Sequence, residues 1–343
     1  MNGWQMTGGS PESSIKTLPA VVTDRLRIFS ELTKLYLTFF IALSAVFGQV
    51  IASALFTRDT LAAGGGVWLL AAGAAVLNNI QDRDHDRWFA RTHHRCLAQK
   101  KIPVSTAAGM ALVLTGAGLA ILFGYPATPV PGILGLVALG CYNGLYTPLK
   151  KKSCLAVWPG VACGMLPPAI GWGMVPYSAA TGTGRDLVLV MVVLGLWQVP
   201  HFLALRAGTA IRVTRKAKNI RPYMAGPRFM EDGSCFRPEP SGIFPCLARW
   251  WTNAELQVQV LIWVSLYSLA MLLFLIHGGV ASPPVSMGLG AMAVALPAGM
   301  AWLQLLGRGR AGTAGVAVIH LSLFVFMVLG ILDRAVTGFF PFQ

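Results

Sequence analysis

Leu61-Ala-Ala-Gly-Gly-Gly-Val-Trp-Leu-Leu-Ala-Ala-Gly-Ala-Ala-Val-Leu-Asn78-Asn79-Ile80-Gln81-Asp82-Arg83-Asp84-His85-Asp86 decides the fold. From Leu61 to Leu77 no side chain is charged, and the apolar stretch, 61 to 81, is about long enough to cross a bilayer as one helix. Its glycines and alanines suit close helix packing in lipid. Its C-terminal end then turns abruptly polar and acidic.

Eight more apolar runs flank it, at residues 32–56, 103–124, 127–147, 154–177, 186–206, 256–277, 284–306 and 312–332. Of 343 residues 55% are hydrophobic and only 12% are charged; a soluble domain carries about 25% charged residues. A cytosolic enzyme and a disordered chain are both excluded. The fold class expected is all-α: a polytopic membrane bundle of about nine transmembrane helices.

The charges sort by connection. The net charge is +14. All but Arg58, Arg185 and Arg334 of the 27 basic residues fall in the N-terminal segment or in even-to-odd connections, where spans are numbered along the chain. The positive-inside rule then puts the N-terminus and those connections in the cytoplasm, or the matrix of a mitochondrion. A bacterial inner membrane is the expected location. The basic excess is thus topological and implies no nucleic-acid partner. Residues 1–30 read as a cytoplasmic tail without a cleavable signal. Residues 31–343 read as one membrane domain with a long cytoplasmic loop at 207–254. The six cysteines form no CxxC pair, and apolar filling is their plain role.

Asn78, Asp82 and Asp86 stand four apart, so a continuing helix points all three from one face. Two carboxylates and an amide oxygen make a hard oxygen site, suited to Mg²⁺ that keeps phosphate oxygens in its shell. Arg91, Thr92 and Arg95 follow, and arginine matches phosphate geometry. Asp84 lies about 200° around the helix from this face. The competing interpretation is a solvated helix end whose aspartates pair with Arg83 and Arg87.

Asn78-xxx-Asp82-xxx-Asp86 with Arg91-Thr92-x-x-Arg95 resembles the first aspartate motif of the UbiA-type intramembrane prenyltransferases. Tyr142-Asn143-x-x-Tyr146-Thr147-Pro148-Leu149-Lys150-Lys151, Pro167-Pro168-Ala169-Ile170-Gly171-Trp172 and Leu196-Trp197-Gln198-Val199-Pro200-His201-Phe202-Leu203-Ala204-Leu205 are similar to segments of its protoheme IX farnesyltransferase branch. The resemblance is detailed over about residues 30–210.

It implies farnesyl transfer from farnesyl diphosphate to a vinyl group of haem B, giving haem O for terminal oxidases. It implies Mg²⁺ on Asn78, Asp82 and Asp86 as the catalytic set. Arg91, Arg95, Tyr146, Lys150 and Arg212 would contact the diphosphate, and His201 the haem. Substrates aside, membrane lipid and terminal-oxidase assembly factors are the implied partners. An aromatic polyprenyltransferase of a quinone pathway, and a non-catalytic haem- or prenyl-lipid-binding homologue, stay open beside it.

Two departures stand out. The superfamily's second acidic cluster should fall near Ala210-Ile211-Arg212-Val213, where no carboxylate stands. Arg212, Arg215, Lys216 or Lys218 would supply fixed positive charge there instead, or the run binds anionic headgroups. The Arg-Pro-Leu that usually follows the first motif reads Arg95-Cys96-Leu97.

Overall fold

A computed structural model describes residues 18–87, 92–219, 228–229, 235–236, 252–305 and 311–339. The apolar runs become helices because lipid offers a backbone no other hydrogen-bond partner. They are α2 (Leu35–Ser53), α3 (Arg58–Asp86), α4 (Val104–Gly124), α5 (Val130–Leu139) with its extension, α7 (Val157–Gly173), α8 (Gly184–Asn219), α9 (Asn253–Ile276), α10 (Pro283–Leu305) and α11 (Ala311–Phe339). Among the described residues eight are long and apolar enough to span a bilayer. The ninth, α7, has 17 residues, at the lower limit for a span. The expected count of nine matches these helices.

Three boundaries differ from expectation. Residues 1–30 were expected to be tail, yet α1 runs Leu18–Thr33 and packs on α2 and α3. Helix α3 does not stop at 81 but continues through the acidic run to Asp86. Helix α8 reaches Asn219, taking in the first thirteen residues of the stretch expected as loop. No proline interrupts Arg206–Asn219, and its Arg, Lys and Ala residues are good helix formers. Beyond it, Arg228–Phe229 and Cys235–Phe236 pair as a minimal antiparallel ladder.

The bundle closes on itself. Helices α2, α3, α4, α5 and α7 form one half, and α8 to α11 the other, with α11 returning to α2 and α8. Phe47 of α2, Phe274 of α9 and Phe326 of α11 meet at 5.3–6.1 Å between ring centroids. Backbone contact locks α2 against α7. A Cβ on Gly171 would lie 1.8 Å from Ala45 O, and one on Gly48 2.1 Å from Pro168 O.

Between α5 and the short α6 (Thr147–Leu149) lies a π-helix, Gly140–Tyr146. Such wide turns mark functional sites more often than ordinary helix does. This one carries Tyr142, Asn143 and Tyr146 to the mouth of the bundle.

Candidate active site

The site forms where α3 ends. Asn78, Asp82 and Asp86 are 1%, 5% and 7% exposed, which rules out a solvated helix end. Asp84 is the surface residue, paired with Arg83 at 3.4 Å and Arg87 at 3.9 Å. A carboxylate this buried needs compensating charge, and it comes from two segments, the turn after α6 and the loop after α3. Lys150 Nζ lies 2.5 Å from Asp82 Oδ2, and Lys151 Nζ lies 2.9 Å from Asp82 Oδ1. Arg95 Nη1 donates to Asp86 Oδ2 at 2.8 Å. Thr92 Oγ1 donates to the Asp86 carbonyl at 3.1 Å.

The π-helix is stapled to α3. Asn143 Nδ2 donates to Ala74 O at 3.0 Å and to Gln81 Oε1 at 3.1 Å, and Gln81 Nε2 returns a bond to Asn143 O at 3.0 Å. Asn78 Nδ2 donates to Asp82 Oδ2 at 3.1 Å and to Thr147 Oγ1 at 2.9 Å. Tyr142 and Tyr146 stack at 5.6 Å, Tyr146 stacks on Phe202 at 6.1 Å, and Lys150 Nζ sits 5.5 Å over the Tyr146 ring.

Lys34 completes the ring of cations. It stands between α1 and α2 with φ 50° and ψ 50°, a left-handed conformation that lysine rarely adopts. Its Nζ donates to Asn78 Oδ1 at 2.5 Å. Burial, with the nearby charges of Lys150 and Arg95, pulls its ammonium down to about 7. Burial also holds Lys150 below the usual lysine value, against the pull of Asp82.

These groups open into a cavity of about 330 Å³. Its polar end holds Lys34, Asn78, Asp82, Asp86, Arg95 and Lys150. Its apolar end is walled by α8 and α11, through Trp197, His201, Leu323 and Met327. His201 stacks on Trp197 at 5.0 Å and meets His320 edge-on at 4.6 Å. Trp197 Nε1 donates to Ile319 O at 2.8 Å, and His320 Nδ1 donates to Val316 O at 2.7 Å. His201 Nδ1 is buried without a hydrogen-bond partner.

The structure therefore brings together Asn78, Asp82, Asp86, Arg95, Tyr146, Lys150 and His201. Arg91 lies outside the described residues. Arg212 falls within α8, but its side chain lies outside the description. Sequence reasoning missed Lys34, Lys151, Gln81, Asn143 and the Trp197–His201–His320 contact. Lys34 was readable only as a positive-inside anchor, because its role depends on the break between α1 and α2. His320 is bonded to Val316 of its own helix and also walls the His201 ring.

The donor set is two carboxylates and an amide oxygen on one helical face. Among the described residues no group of three His, Cys, Asp or Glu side chains gathers as a metal cage. Mg²⁺ needs no such cage, since one or two carboxylates plus substrate phosphate oxygens suffice. The residues present fit it.

The chain is similar to the protoheme IX farnesyltransferase of Oleidesulfovibrio alaskensis, at 28% identity over 316 residues, covering 91% of this chain and 98% of that protein. It is 41% identical to the protoheme IX farnesyltransferase of Geobacter sulfurreducens over 137 residues. That second match covers 40% of this chain and spans about half, 49%, of the relative's length. Among solved structures it resembles a UbiA homologue from Archaeoglobus fulgidus bound to GPP and Mg²⁺, with TM-score 0.57 and 12% identity over 90% of this chain and 99% of that one. It also resembles a UbiA homologue from Aeropyrum pernix, with TM-score 0.58 and 17% identity over 87% of this chain and 98% of that one. At such identity these structures speak for the fold alone. The model of the UbiA prenyltransferase family matches residues 35–326. The chain is an integral, multi-pass membrane protein, and it belongs to the UbiA prenyltransferase family.

Proposed function

We propose that the protein is a haem farnesyltransferase: it joins C1 of farnesyl diphosphate to the vinyl group of haem B and yields haem O. One observation carries this reading. A buried, cation-ringed carboxylate pair opens into a cavity whose apolar end is walled by the Leu196–Leu205 segment, through Trp197 and His201. The full-length similarity to a protoheme IX farnesyltransferase supports the acceptor.

The residues divide the work by position. Lys34, Arg95, Lys150 and Lys151 take the diphosphate oxygens, exchanging their present partners on α3 for the substrate. Arg91 and Arg212 are proposed as further contacts. Asn78, Asp82 and Asp86 would hold Mg²⁺. The bound ion would supply Lewis-acid stabilisation of the departing diphosphate.

As the C1–O bond breaks, its electron pair leaves with the diphosphate, where fixed cations meet the developing charge. The vinyl π electrons form the new C–C bond. The resulting cation takes up water and releases a proton, giving the hydroxyethylfarnesyl substituent. The stacked Tyr142 and Tyr146 faces flank the path of the allylic cation. The apolar wall keeps competing water low, and His201 and Trp197 hold the porphyrin. We place the site on the cytoplasmic face of a bacterial inner membrane, in one domain over residues 31–343, feeding terminal oxidases and their assembly factors.

The test is expression in a host lacking its own haem O synthase, followed by mass analysis of extracted haem. Haem O should appear, and should disappear in Asp82→Asn. Unmodified haem B at normal expression would sink the reading. A prenylated aromatic product would then select the quinone alternative. Copurified haem without product would select a binding protein.

A further inference from the structure

The site cavity has a second limb, which the chemistry above leaves unused. An apolar cavity of about 90 Å³ adjoins it. The two share Leu37, Ile41, Tyr142, Cys163 and Pro167. The smaller one is lined by α2, α3, α5, the π-helix and α7, and by no residue of the α8–α11 wall where His201 stands. Its sides include Ala71, Ala74 and Ala75 of α3 and Ala138 of α5. Ala71, Ala75, Asn78 and Asp82 follow helical spacing, so one face of α3 carries the polar motif above and this wall below.

The limb has a floor. Of its lining residues, Val67 and Leu70 lie furthest along α3 from Asp82, and Ile170 packs with them. All three belong to a buried cluster with Ala45, Ala63, Leu122 and Met174. Packed protein, rather than lipid, lies behind them.

The depth can be compared with a ligand. Asp82 and Ala71 are eleven residues apart on one helix, roughly 16 Å at 1.5 Å per residue. An extended chain advances about 1.2 Å per bond, as a polypeptide does over its three bonds per residue. A C15 prenyl group has a main chain of about twelve carbons and so reaches about 14 Å below its diphosphate. Its last isoprene unit therefore arrives beside Ala71 and Ala74. A C20 chain would run about 5 Å further, into Leu70 and Val67, and a C10 chain would stop about 5 Å short.

We propose that this limb gauges the length of the prenyl donor: the distal isoprene unit lodges against Ala71 and Ala74, and Leu70 is the stop. The inference rests on the diphosphate placement proposed above, and it deepens that reading by assigning the residues that select chain length.

The experiment offers geranyl, farnesyl and geranylgeranyl diphosphates in competition with purified protein, with product masses as readout. Binding of the three matching non-hydrolysable thiolodiphosphates is measured in parallel. Wild type should prefer C15. Ala71→Leu fills the limb and should shift the C10-to-C15 ratio by about tenfold or more toward C10, since single methylenes in apolar pockets discriminate on that scale. Leu70→Ala lowers the floor and should raise use of C20.

If either variant folds, by gel filtration, and keeps the wild-type order of chain lengths, the gauge is overturned. The thiolodiphosphate series separates this from the acceptor. A shifted binding order with no haem product refutes haem as acceptor and leaves the gauge standing. Haem O with an unshifted order does the reverse.

Discussion

Lys150 Nζ and Asp82 Oδ2 stand 2.5 Å apart, joining residues 68 positions apart in the chain. The bond ties the cationic end of the π-helix segment to the acidic end of α3. Both groups are largely buried, so each leaves the other costly if removed. In the resting protein the two carboxylates are occupied by Lys150, Lys151 and Arg95. A diphosphate anion arriving with its divalent cation can replace both partners at once.

Asp82→Asn should therefore abolish product, with a loss of at least about 10²–10³-fold in turnover, the scale of removing one preorganised charge at a developing anion. Lys150→Met should fall in the same range. Haem O formed per unit of folded protein is the measurement. Activity within threefold of wild type in either variant would remove this pair from the reaction.

His201→Ala separates the two substrates. Its ring stacks on Trp197 and meets His320 edge-on, on the α8–α11 wall of the cavity. The variant should copurify with much less haem while keeping wild-type affinity for a farnesyl thiolodiphosphate. Equal loss of both ligands would mean that His201 supports the bundle instead.

The nine-helix architecture was legible because lipid imposes length and apolarity on every span. The acidic face was legible because helical spacing survives in one dimension. Lys34, Lys151 and Asn143 were not, since each reaches α3 from another helix and nothing local marks the meeting. The extension of α8 was missed for a different reason. Basic residues read as a solvated loop, although they form helix readily.

Cys96 tests how the loop carrying Arg95 is held. Its backbone N–H donates to Glu31 Oε1 at 2.6 Å, docking the loop on α1. Burial and the Glu31 carboxylate push the Cys96 thiol up to about 12. Since only the thiolate reacts well, Cys96 should resist maleimide at pH 8.5 in native membranes, and Glu31→Gln should speed labelling. The unfolded thiol titrates near 9. Its proton is thus held more tightly in the folded state, a contribution fully present below pH 9 and lost as pH rises toward 12. Rapid labelling of the wild type would show that α1 does not dock.

Gly171→Ala probes the α2–α7 lock. The added carbon meets the Ala45 carbonyl, which is backbone and cannot swing aside. A loss of about 1–3 kcal/mol is expected, read as a lower unfolding midpoint in detergent. Gly65→Ala is the control, because no atom lies within 4 Å of its added carbon. Equal midpoints for both would remove the lock.

The π-helix at Gly140–Tyr146 also sets a rule for how this protein can change over time. Each residue of an α-helix turns about 100°. Loss or gain of one residue between Gly140 and Tyr146 would therefore swing Lys150 and Lys151 away from Asp82 and strand the aspartate. Point substitutions along the segment leave that phase intact. The segment's length is therefore constrained alongside the identities of Tyr142, Asn143 and Tyr146.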